Sequence, residues 1–394
     1  MTKIFTVLTI MFFTALPILA VIAPRALGTL PLVLGALGLI FYSVQTKGVH
    51  LSKNTIIWII SLLALSGLGI LNSPHPDIAL NAGIKIWAFT LAGIGLFKGI
   101  PLVPQEAKQK VLNTLPWSLA CSIVLMLFEH YLNYPIYRLA RGLEATDKVA
   151  THVLNYAAVL HAIWLFPALY SLRLHKHKIQ LRAGLISLTL LSSLLIYSSQ
   201  AALLGLCLGL VIFGLTYYKA TPVIRLIFIG IAVLTLSAPI LAPLLYQNQP
   251  EFIQGFQTAA VPQRIVIWNA SAIEAMESPV TGHGFLATQT RGSSFLEHTT
   301  DYPWKRVLHP HNFALQIWIE LGLIGILFFL TALFFTYRRL STSPRALQAY
   351  IASTFASIIA IGGVSYSLWQ TWWMGTILSI ALLIHFIQES KSKN

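Results

Sequence analysis

Charged residues are scarce in this sequence, and acidic residues are the scarcest of them. Charged residues make up 10% of the 394 residues, against 56% hydrophobic residues, and only three residues are aspartates. A typical soluble domain is roughly 25% charged, so this composition excludes an ordinary soluble protein. Most of the chain is therefore predicted to lie in lipid.

Cysteine pairs and acidic clusters are also missing. Cys121 and Cys207 fall in separate apolar stretches, so there is neither a disulfide framework nor the spacing of a zinc site. The nearest acidic pair in a polar region is Glu274 and Glu277, and a spacing of three residues is typical of a solvated helix face. A metal-dependent transferase would need more carboxylates, and no metal site is predicted.

Apolar runs of about 17 to 25 residues recur along the chain, each long enough as a helix to cross a hydrocarbon core of roughly 30 Å. They predict an all-α polytopic membrane protein. The first run follows Lys3 as in a signal peptide, but its length and the lack of a cleavage site before Pro24 predict a retained helix. The twelve predicted spans are 4–22, 29–45, 55–72, 78–98, 112–132, 152–172, 184–199, 201–218, 223–246, 312–337, 346–364 and 368–388.

The net charge of +14 is distributed unevenly between the two sides of the predicted bundle. With the N-terminus in the cytoplasm, seventeen of the 26 Lys and Arg residues lie on the cytoplasmic side and eight on the outer side. This asymmetry is the positive-inside pattern. The basic excess therefore reflects topology rather than nucleic-acid binding, and both termini are predicted to be cytoplasmic.

Two predicted outer loops are longer than the other connections. The first, 133–151, contains Arg138 and Arg141. The second, 247–311, is the only loop long enough to form a small subdomain outside the membrane. The predicted organisation is nine helices in 1–246, a periplasmic loop subdomain in 247–311, and three helices with a cytoplasmic tail in 312–394.

An amphipathic helix is predicted inside the long loop. Between Pro262 and Pro279, apolar residues recur three or four positions apart, which indicates a short helix at the outer interface. Arg264 lies in its first turn, where free backbone N–H groups and the helix dipole also favour an anion. Trp268 follows one turn later.

The strongest local signal for chemistry is His309-Pro-His311-Asn312, where the loop re-enters the membrane. A histidine held at the lipid–water boundary could act as a general base near neutral pH. The alternative is that both histidines only cap the helix or lie among lipid headgroups. Glu320 and Lys85 lie at membrane depth, which suggests a function or a partner for each. The alternatives are a structural hydrogen bond for Glu320 and snorkelling to the outer face for Lys85.

Four segments of the chain, in order, resemble the bacterial O-antigen ligase and polymerase superfamily. They are Arg264-Ile-Val-Ile-Trp268, Pro279 with Gly282-His-Gly284-Phe285, His309-Pro-His-Asn312, and Glu320-Leu-Gly-Leu-Ile-Gly325. Their order, their predicted side of the membrane and the twelve-helix frame all match, so the resemblance covers nearly the whole chain. It implies a GT-C-like membrane glycosyltransferase in the bacterial inner membrane, with its active site on the periplasmic face.

The resemblance also implies the reaction. Such an enzyme transfers a glycan from undecaprenyl pyrophosphate to an acceptor hydroxyl, without a metal or other cofactor, and in the ligases the acceptor is the lipid A-core of lipopolysaccharide. Arg264 resembles the arginine that binds the donor pyrophosphate, and His311 resembles the histidine proposed to activate the acceptor hydroxyl. The expected substrate-binding residues beside them are Trp268, His309, Asn312 and Glu320.

One position departs from the family pattern. Family members commonly have an arginine where this chain has Gln200. A neutral amide can donate a hydrogen bond to a phosphate but cannot neutralise it. A second positive charge would then come from Arg138, Arg141, Lys85 or Arg291, or this chain handles its donor differently.

The leading hypothesis is an O-antigen ligase, with a donor cavity roofed by the long loop and open sideways to the bilayer for two lipid-linked substrates. An O-antigen polymerase or a protein O-oligosaccharyltransferase is the alternative within the superfamily, since these enzymes differ in an acceptor that the sequence does not show. A transporter or flippase of lipid-linked glycans is the alternative from another class. Transporters carry paired repeats or broken helices at matching places, and the sequence indicates neither.

Overall fold

The computed structural model describes residues 2–196, 199–248, 260–291 and 307–391, which form helices and connecting turns. This confirms the all-α fold class. The α-helices are α1 Thr2–Ile22, α2 Ala26–Thr46, α3 Lys53–Leu71, α4 Pro76–Gly99, α5 Gln105–Tyr131, α6 Pro135–Arg141, α7 Asn155–Leu174, α8 Ile179–Leu195, α9 Gln200–Tyr218, α10 Ala220–Gln247, α11 Ala260–Glu277, α12 Ala287–Thr290, α13 Phe313–Ser341, α14 Arg345–Val364 and α15 Thr371–Lys391. Two short 3-10 helices are Ile100–Leu102 and Thr151–Leu154.

Within these ranges, eleven helices are long and apolar enough to cross a membrane, which confirms a multi-pass membrane protein. The seventh predicted span, 184–199, corresponds to α8, a shorter apolar helix of 17 residues. At 1.5 Å per residue, α8 is about 25 Å long, close to the roughly 30 Å of a hydrocarbon core. It ends earlier than predicted because the chain leaves helical geometry at Ile196.

Helix α7 lies at the centre of the bundle. Every residue from Ala157 to Leu172 is buried, and the helix contacts α1, α5, α8, α9, α14 and α15. Apolar side chains of these helices belong to one core cluster. A largely apolar helix is typical of a protein core or a membrane span, and α7 is enclosed by other helices of the bundle.

The segment between α10 and α13 defines one end of the bundle, which we call the loop end. Helix α11 forms where the sequence predicts an amphipathic helix and packs against α10 and α13. Its side chains Ile267, Ala270 and Ala275 are buried in a cluster with residues of α13. The first turn of α11, the start of α13 and the turn between α14 and α15 therefore all lie at the loop end.

Helix α13 is broken at Gly322, where φ is 58° and ψ is −152°. The sequence did not indicate this break. A break leaves backbone groups without their helical partners, and lipid cannot supply replacements. The turn 279–285, which follows α11, supplies them instead.

Four backbone hydrogen bonds join this turn to α13. They run from His283 N–H to the Ile319 carbonyl (2.8 Å), from Gly284 N–H to the Glu320 carbonyl (2.9 Å), from Leu323 N–H to the Pro279 carbonyl (2.8 Å), and from Ile324 N–H to the Val280 carbonyl (3.2 Å). The turn thus fills the gap in the helix from the side. Both halves of α13 are held in place by the loop that precedes it.

Glycine is required on both sides of this contact. A Cβ atom on Gly322 would lie 2.6 Å from the backbone of Val280, and one on Gly282 would lie 2.4 Å from the backbone of Glu320. Both glycines have positive φ, 58° and 68°, where other residues are strained. The segments Gly282-His-Gly284 and Glu320-Leu-Gly322, which both belong to the family resemblance, therefore contact each other through their backbones.

We expect Gly322→Ala to destabilise the protein by about 1–3 kcal/mol through backbone strain alone, with the clash against Val280 adding to it. The matched control is Gly214→Ala on α9, where an added Cβ atom would meet no atom within 4 Å. Thermal unfolding in detergent should show a lower midpoint for the first variant and an unchanged or higher midpoint for the second. Equal midpoints would show that the break does not constrain α13.

Candidate active site

Three segments meet at the loop end. The first turn of α11 contributes Arg264, the residues before α13 contribute His309 and His311, and the turn between α14 and α15 contributes Ser365 and Tyr366. The positive charge of Arg264 acts on both imidazoles and on Tyr366, so these groups lie near one another. The structure therefore brings together the two residues expected to carry the chemistry.

His311 is held in one tautomer. Its Nδ1 atom lies 2.6 Å from the carbonyl oxygen of Ser365. A carbonyl only accepts, so Nδ1 carries the hydrogen and Nε2 keeps a lone pair. Burial lowers the pKa of His311, the bond to Ser365 raises it, and the charge of Arg264 lowers it again, for a net decrease. At neutral pH the ring is therefore uncharged, with a basic nitrogen.

The backbone of His311 is also unusual. Its φ of 56° lies in the left-handed region, which residues other than glycine rarely adopt. Next to it, Asn312 caps α13, because its Oδ1 accepts hydrogen bonds from the N–H groups of Ala314 (2.9 Å) and Leu315 (3.1 Å). The residue that caps the helix is thus Asn312, while His311 bonds to a different segment.

His309 is held in the opposite tautomer. The backbone N–H of His311 donates to Nδ1 of His309 (3.2 Å), so a neutral His309 carries its hydrogen on Nε2. Burial, followed by the neighbouring His311 and Arg264, lowers the pKa of His309 to about 3. The two ring centroids are 4.0 Å apart. One ring therefore presents a lone pair, and the other presents an N–H group.

Arg264 is a half-buried cation. Burial lowers the pKa of its guanidinium, and Tyr366 partly offsets this, but arginine starts so high that it stays charged at neutral pH. Within the described ranges, no hydrogen bond or ion pair ties Arg264 to another residue. None of the described carboxylates therefore competes with an anionic ligand for this charge.

Glu320 belongs to a buried polar network. Its carboxylate accepts hydrogen bonds from Gln316 Nε2 (3.0 Å) and from the Trp369 indole. Gln316 Nε2 also donates to Ser367 Oγ (3.0 Å), and Gln316 Oε1 accepts from the N–H of Leu368 (3.0 Å). These bonds support the structural interpretation of Glu320, because they fix the turn between α14 and α15 against α13.

Sequence reasoning did not single out this turn. Ser365 and Tyr366 lie in a polar and aromatic run, Ser-Tyr-Ser-Leu-Trp-Gln, between two apolar spans. Trp372, at the start of α15, packs edge-on against Tyr366 (4.6 Å between centroids) and Tyr156 (4.7 Å). A short connection with this many aromatic and hydroxyl groups could have marked the turn as part of the site.

Arg291 is already neutralised. Its guanidinium is 2.6 Å from a carboxylate oxygen of Glu274 and 2.6 Å from one of Glu277, and it donates to Nδ1 of His283 (3.2 Å). Those three residues place ligand atoms within 4.8 Å of one another, as a cation site would, and the guanidinium is their cation. The expected solvated helix face is wrong for Glu274, which is fully buried.

The remaining candidate cations differ in their surroundings. The Arg138 guanidinium is bonded within its own loop, to Asn133 (2.7 Å) and to the carbonyls of Glu144 and Asp147. Arg141 is exposed and stacks on the ring of Tyr137 (5.1 Å to the centroid).

Lys85 and Gln200 are not tied to a partner in the described ranges. Lys85 is half-buried on α4, whose residues Ala82 and Ile86 belong to a cluster with Phe285 of the turn 279–285. Gln200 is exposed at the first residue of α9. Of the four candidate cations, Lys85 and Arg141 are therefore the two whose charges are engaged by no carboxylate or carbonyl of the described residues.

An apolar groove of about 550 Å³ runs between α9, α10, α13 and α14. At the loop end it reaches Trp268 and Asn312, next to the two histidines. Along α9 and α10 its walls include Leu204 and Leu226, which are 45% and 68% exposed and so face the lipid. The groove therefore extends from lipid-facing side chains to two residues beside the candidate site.

Comparison with known proteins bears on the same residues. The family model described as O-antigen ligase matches residues 185–330, which include Arg264, His311 and the broken part of α13. A protein of Rickettsia conorii is 27% identical over 310 residues, 76% of this chain and 73% of that protein. One of Rickettsia prowazekii is 26% identical over 275 residues, 68% and 67% of the two chains, and one of Rickettsia bellii is 26% identical over 319 residues, 77% and 73%.

All three relatives are named as candidate polysaccharide ligases. Their similarity extends well beyond the family match, over two thirds or more of this chain. The family match itself covers α11, the turn 279–285 and the histidines before α13. Together, the family model, these relatives and the shared segments support a resemblance to the O-antigen ligase superfamily.

Proposed function

We propose that this protein is an O-antigen ligase of the bacterial inner membrane. It transfers a glycan from undecaprenyl pyrophosphate to a sugar hydroxyl of lipid A-core, on the periplasmic face. The observation that carries the proposal is a half-buried arginine without a carboxylate partner in the described ranges, beside a neutral histidine with a free lone pair. The names of the relatives agree with a polysaccharide substrate.

Arg264 fits the donor side of this reaction. As the glycosidic bond breaks, its electron pair stays with the pyrophosphate oxygen, and negative charge develops there. A guanidinium remains charged and matches the geometry of phosphate oxygens. Preorganised positive charge at a developing anion typically accounts for a 10²- to 10³-fold rate effect for a single donor group. We therefore assign leaving-group stabilisation to Arg264.

His311 fits the acceptor side. Its Nε2 lone pair takes the proton of the acceptor hydroxyl while the hydroxyl oxygen bonds to the anomeric carbon. The carbonyl of Ser365 holds the ring in the required tautomer and stabilises the imidazolium that forms. Attack from the face opposite the pyrophosphate inverts the anomeric centre, which agrees with the family resemblance.

The apolar groove supports a lipid-linked donor. A polyprenyl tail lying between α10 and α14 would enter from the bilayer and bring its pyrophosphate to the loop end, near Trp268 and Asn312. The tail is already in hydrocarbon before it enters the groove, so van der Waals contact with the walls, rather than transfer out of water, would hold it there. The groove thus holds the carrier while the charged groups act on the head of the donor.

Deleting the gene in its host should abolish long O-antigen ladders on lipid A-core in a lipopolysaccharide gel. Complementation with Arg264→Ala or His311→Ala should leave the ladders missing at normal protein levels, since loss of a general base alone costs roughly 10²- to 10⁴-fold. Matched controls are Arg25→Ala and His75→Ala, which change exposed residues outside the site and should restore the ladders.

The outcomes also separate the alternatives. Ladders that persist in the deletion strain would remove the ligase assignment. Single repeat units left on lipid A-core would indicate a polymerase. Unchanged lipopolysaccharide together with loss of protein-linked glycan would indicate a protein oligosaccharyltransferase. Loss of lipid-linked glycan from the periplasmic face, with glycan transfer still intact in isolated membranes, would indicate a flippase.

The pH dependence follows from the pKa of His311, which is lowered from 6.5. A histidine with a lowered pKa stays mostly unprotonated when the pH falls to the ordinary pKa of histidine. We expect kcat/KM of the purified protein, which reports the free enzyme, to stay level down to about pH 6.5 and to fall only below it. An acid limb with its midpoint at or above 6.5 would contradict a buried, neutral base.

His309 is proposed to donate a hydrogen bond from Nε2 to an oxygen of the bound pyrophosphate. His309→Gln keeps an N–H donor near the Nε2 position, whereas His309→Asn keeps only an acceptor near Nδ1 for the N–H of His311. We expect His309→Gln to retain most of the activity, and His309→Asn to lose about 10- to 100-fold, as for a hydrogen bond to a charged group. The reverse order in a purified transfer assay would show that His309 only supports the backbone.

A further inference from the structure

A second apolar groove lies at the end of the bundle opposite the histidines. It has a volume of about 540 Å³ and is bounded by α4, α13, α14 and α15, with Phe97, Phe335, Ile358 and Ile380 among its walls. Phe335 is 51% exposed, so this groove also faces the lipid. It belongs to none of the segments that form the candidate active site.

The length of this groove matches one leaflet of a bilayer. Along α15 it extends from Ile377 to Gln388, about 16 Å at 1.5 Å per residue. A hydrocarbon core is roughly 30 Å thick, so half of it is about 15 Å. The groove therefore accommodates the acyl chain of a lipid from the nearer leaflet.

Polar side chains form a rim at one end of the groove. They come from Arg339 and Ser343 at the end of α13, and from His385 and Gln388 at the end of α15. One N–H of the exposed Arg339 guanidinium donates to Gln388 (3.2 Å), and its other N–H groups have no partner in the described ranges. The Nε2 atom of His385 is buried and also lacks a hydrogen-bond partner there.

The rim carries a net positive charge. The neighbouring Lys108 and Glu389 form an ion pair at 3.9 Å, in which Lys108 is almost fully buried, so their charges offset each other. Among the described residues, no carboxylate forms an ion pair with Arg339, which lies at the end of the membrane-spanning part of α13. A guanidinium with free N–H groups suits a phosphate oxygen, because it can bond to two oxygens at once.

We propose that this groove binds one anionic phospholipid, with an acyl chain between α13 and α15 and the headgroup phosphate at Arg339. An apolar slot of one-leaflet length that ends at a cation is complementary to such a lipid and is too short for a polyprenyl carrier. In the predicted topology this leaflet is the cytoplasmic one. Its anionic lipids give it a negative surface potential, which attracts basic side chains. The site does not depend on the proposed transfer reaction.

The test uses the full chain in nanodiscs with equal amounts of dioleoyl phosphatidylglycerol and dioleoyl phosphatidylcholine. Lipids retained on the released protein are measured by native mass spectrometry. We expect the wild-type protein to retain phosphatidylglycerol preferentially, and Arg339→Ala to lower that preference about 5-fold, as for one basic residue at a membrane surface. The neighbouring Arg338→Ala, which removes an exposed arginine outside the groove, should leave the preference unchanged.

A second variant tests the acyl-chain part of the groove. Ala381 lines it, and Ala381→Phe should fill the slot and lower retention of both lipids, while an unchanged thermal midpoint shows that the variant folds. Equal retention of the two lipids by the wild-type protein would overturn the proposal. So would an Arg339→Ala variant that retains phosphatidylglycerol as the wild type does, or undecaprenyl phosphate that displaces phosphatidylglycerol at equal concentration.

Discussion

Lipid offers no hydrogen-bond partner to a backbone amide, and this constraint governs the whole loop end of the bundle. Helix α13 can be interrupted at Gly322 only because the turn 279–285 completes its ladder from outside. That exchange ties α11, which precedes the turn, to the first half of α13, which follows the histidines. Arg264 and His311 thereby lie on two segments that are joined by these backbone hydrogen bonds.

A second set of bonds reaches the histidine from the other side. Glu320 and Gln316, on the first half of α13, hold the turn between α14 and α15, and Ser365 in that turn fixes the tautomer of His311. The buried Glu320 side chain thus helps to hold the turn that fixes His311. Polar residues deep in the bundle are stable here because each finds its partners within the protein.

Much of this architecture can be predicted from patterns that lie within single segments of the sequence. Long apolar runs predicted the membrane helices, and apolar spacing predicted α11, because both depend on local periodicity. Arg264 and His311 were identified by resemblance, and the structure brings them together. The break at Gly322, the neutralisation of Arg291 and the turn that holds His311 were not predicted. Each of them depends on contacts between segments far apart in sequence, which no local pattern encodes.

The enclosure of α7 has a consequence for biogenesis. Its neighbours include α1 and α5, made earlier, and α14 and α15, made last. While the ribosome is still adding the final helices, the flank of α7 that later meets them must rest against lipid or an insertion chaperone. His161 lies on this helix and in the finished protein lies 2.7 Å from the hydroxyl of Ser122 on α5. Early pairing of α5 with α7 would shelter that polar ring until the C-terminal helices close the bundle.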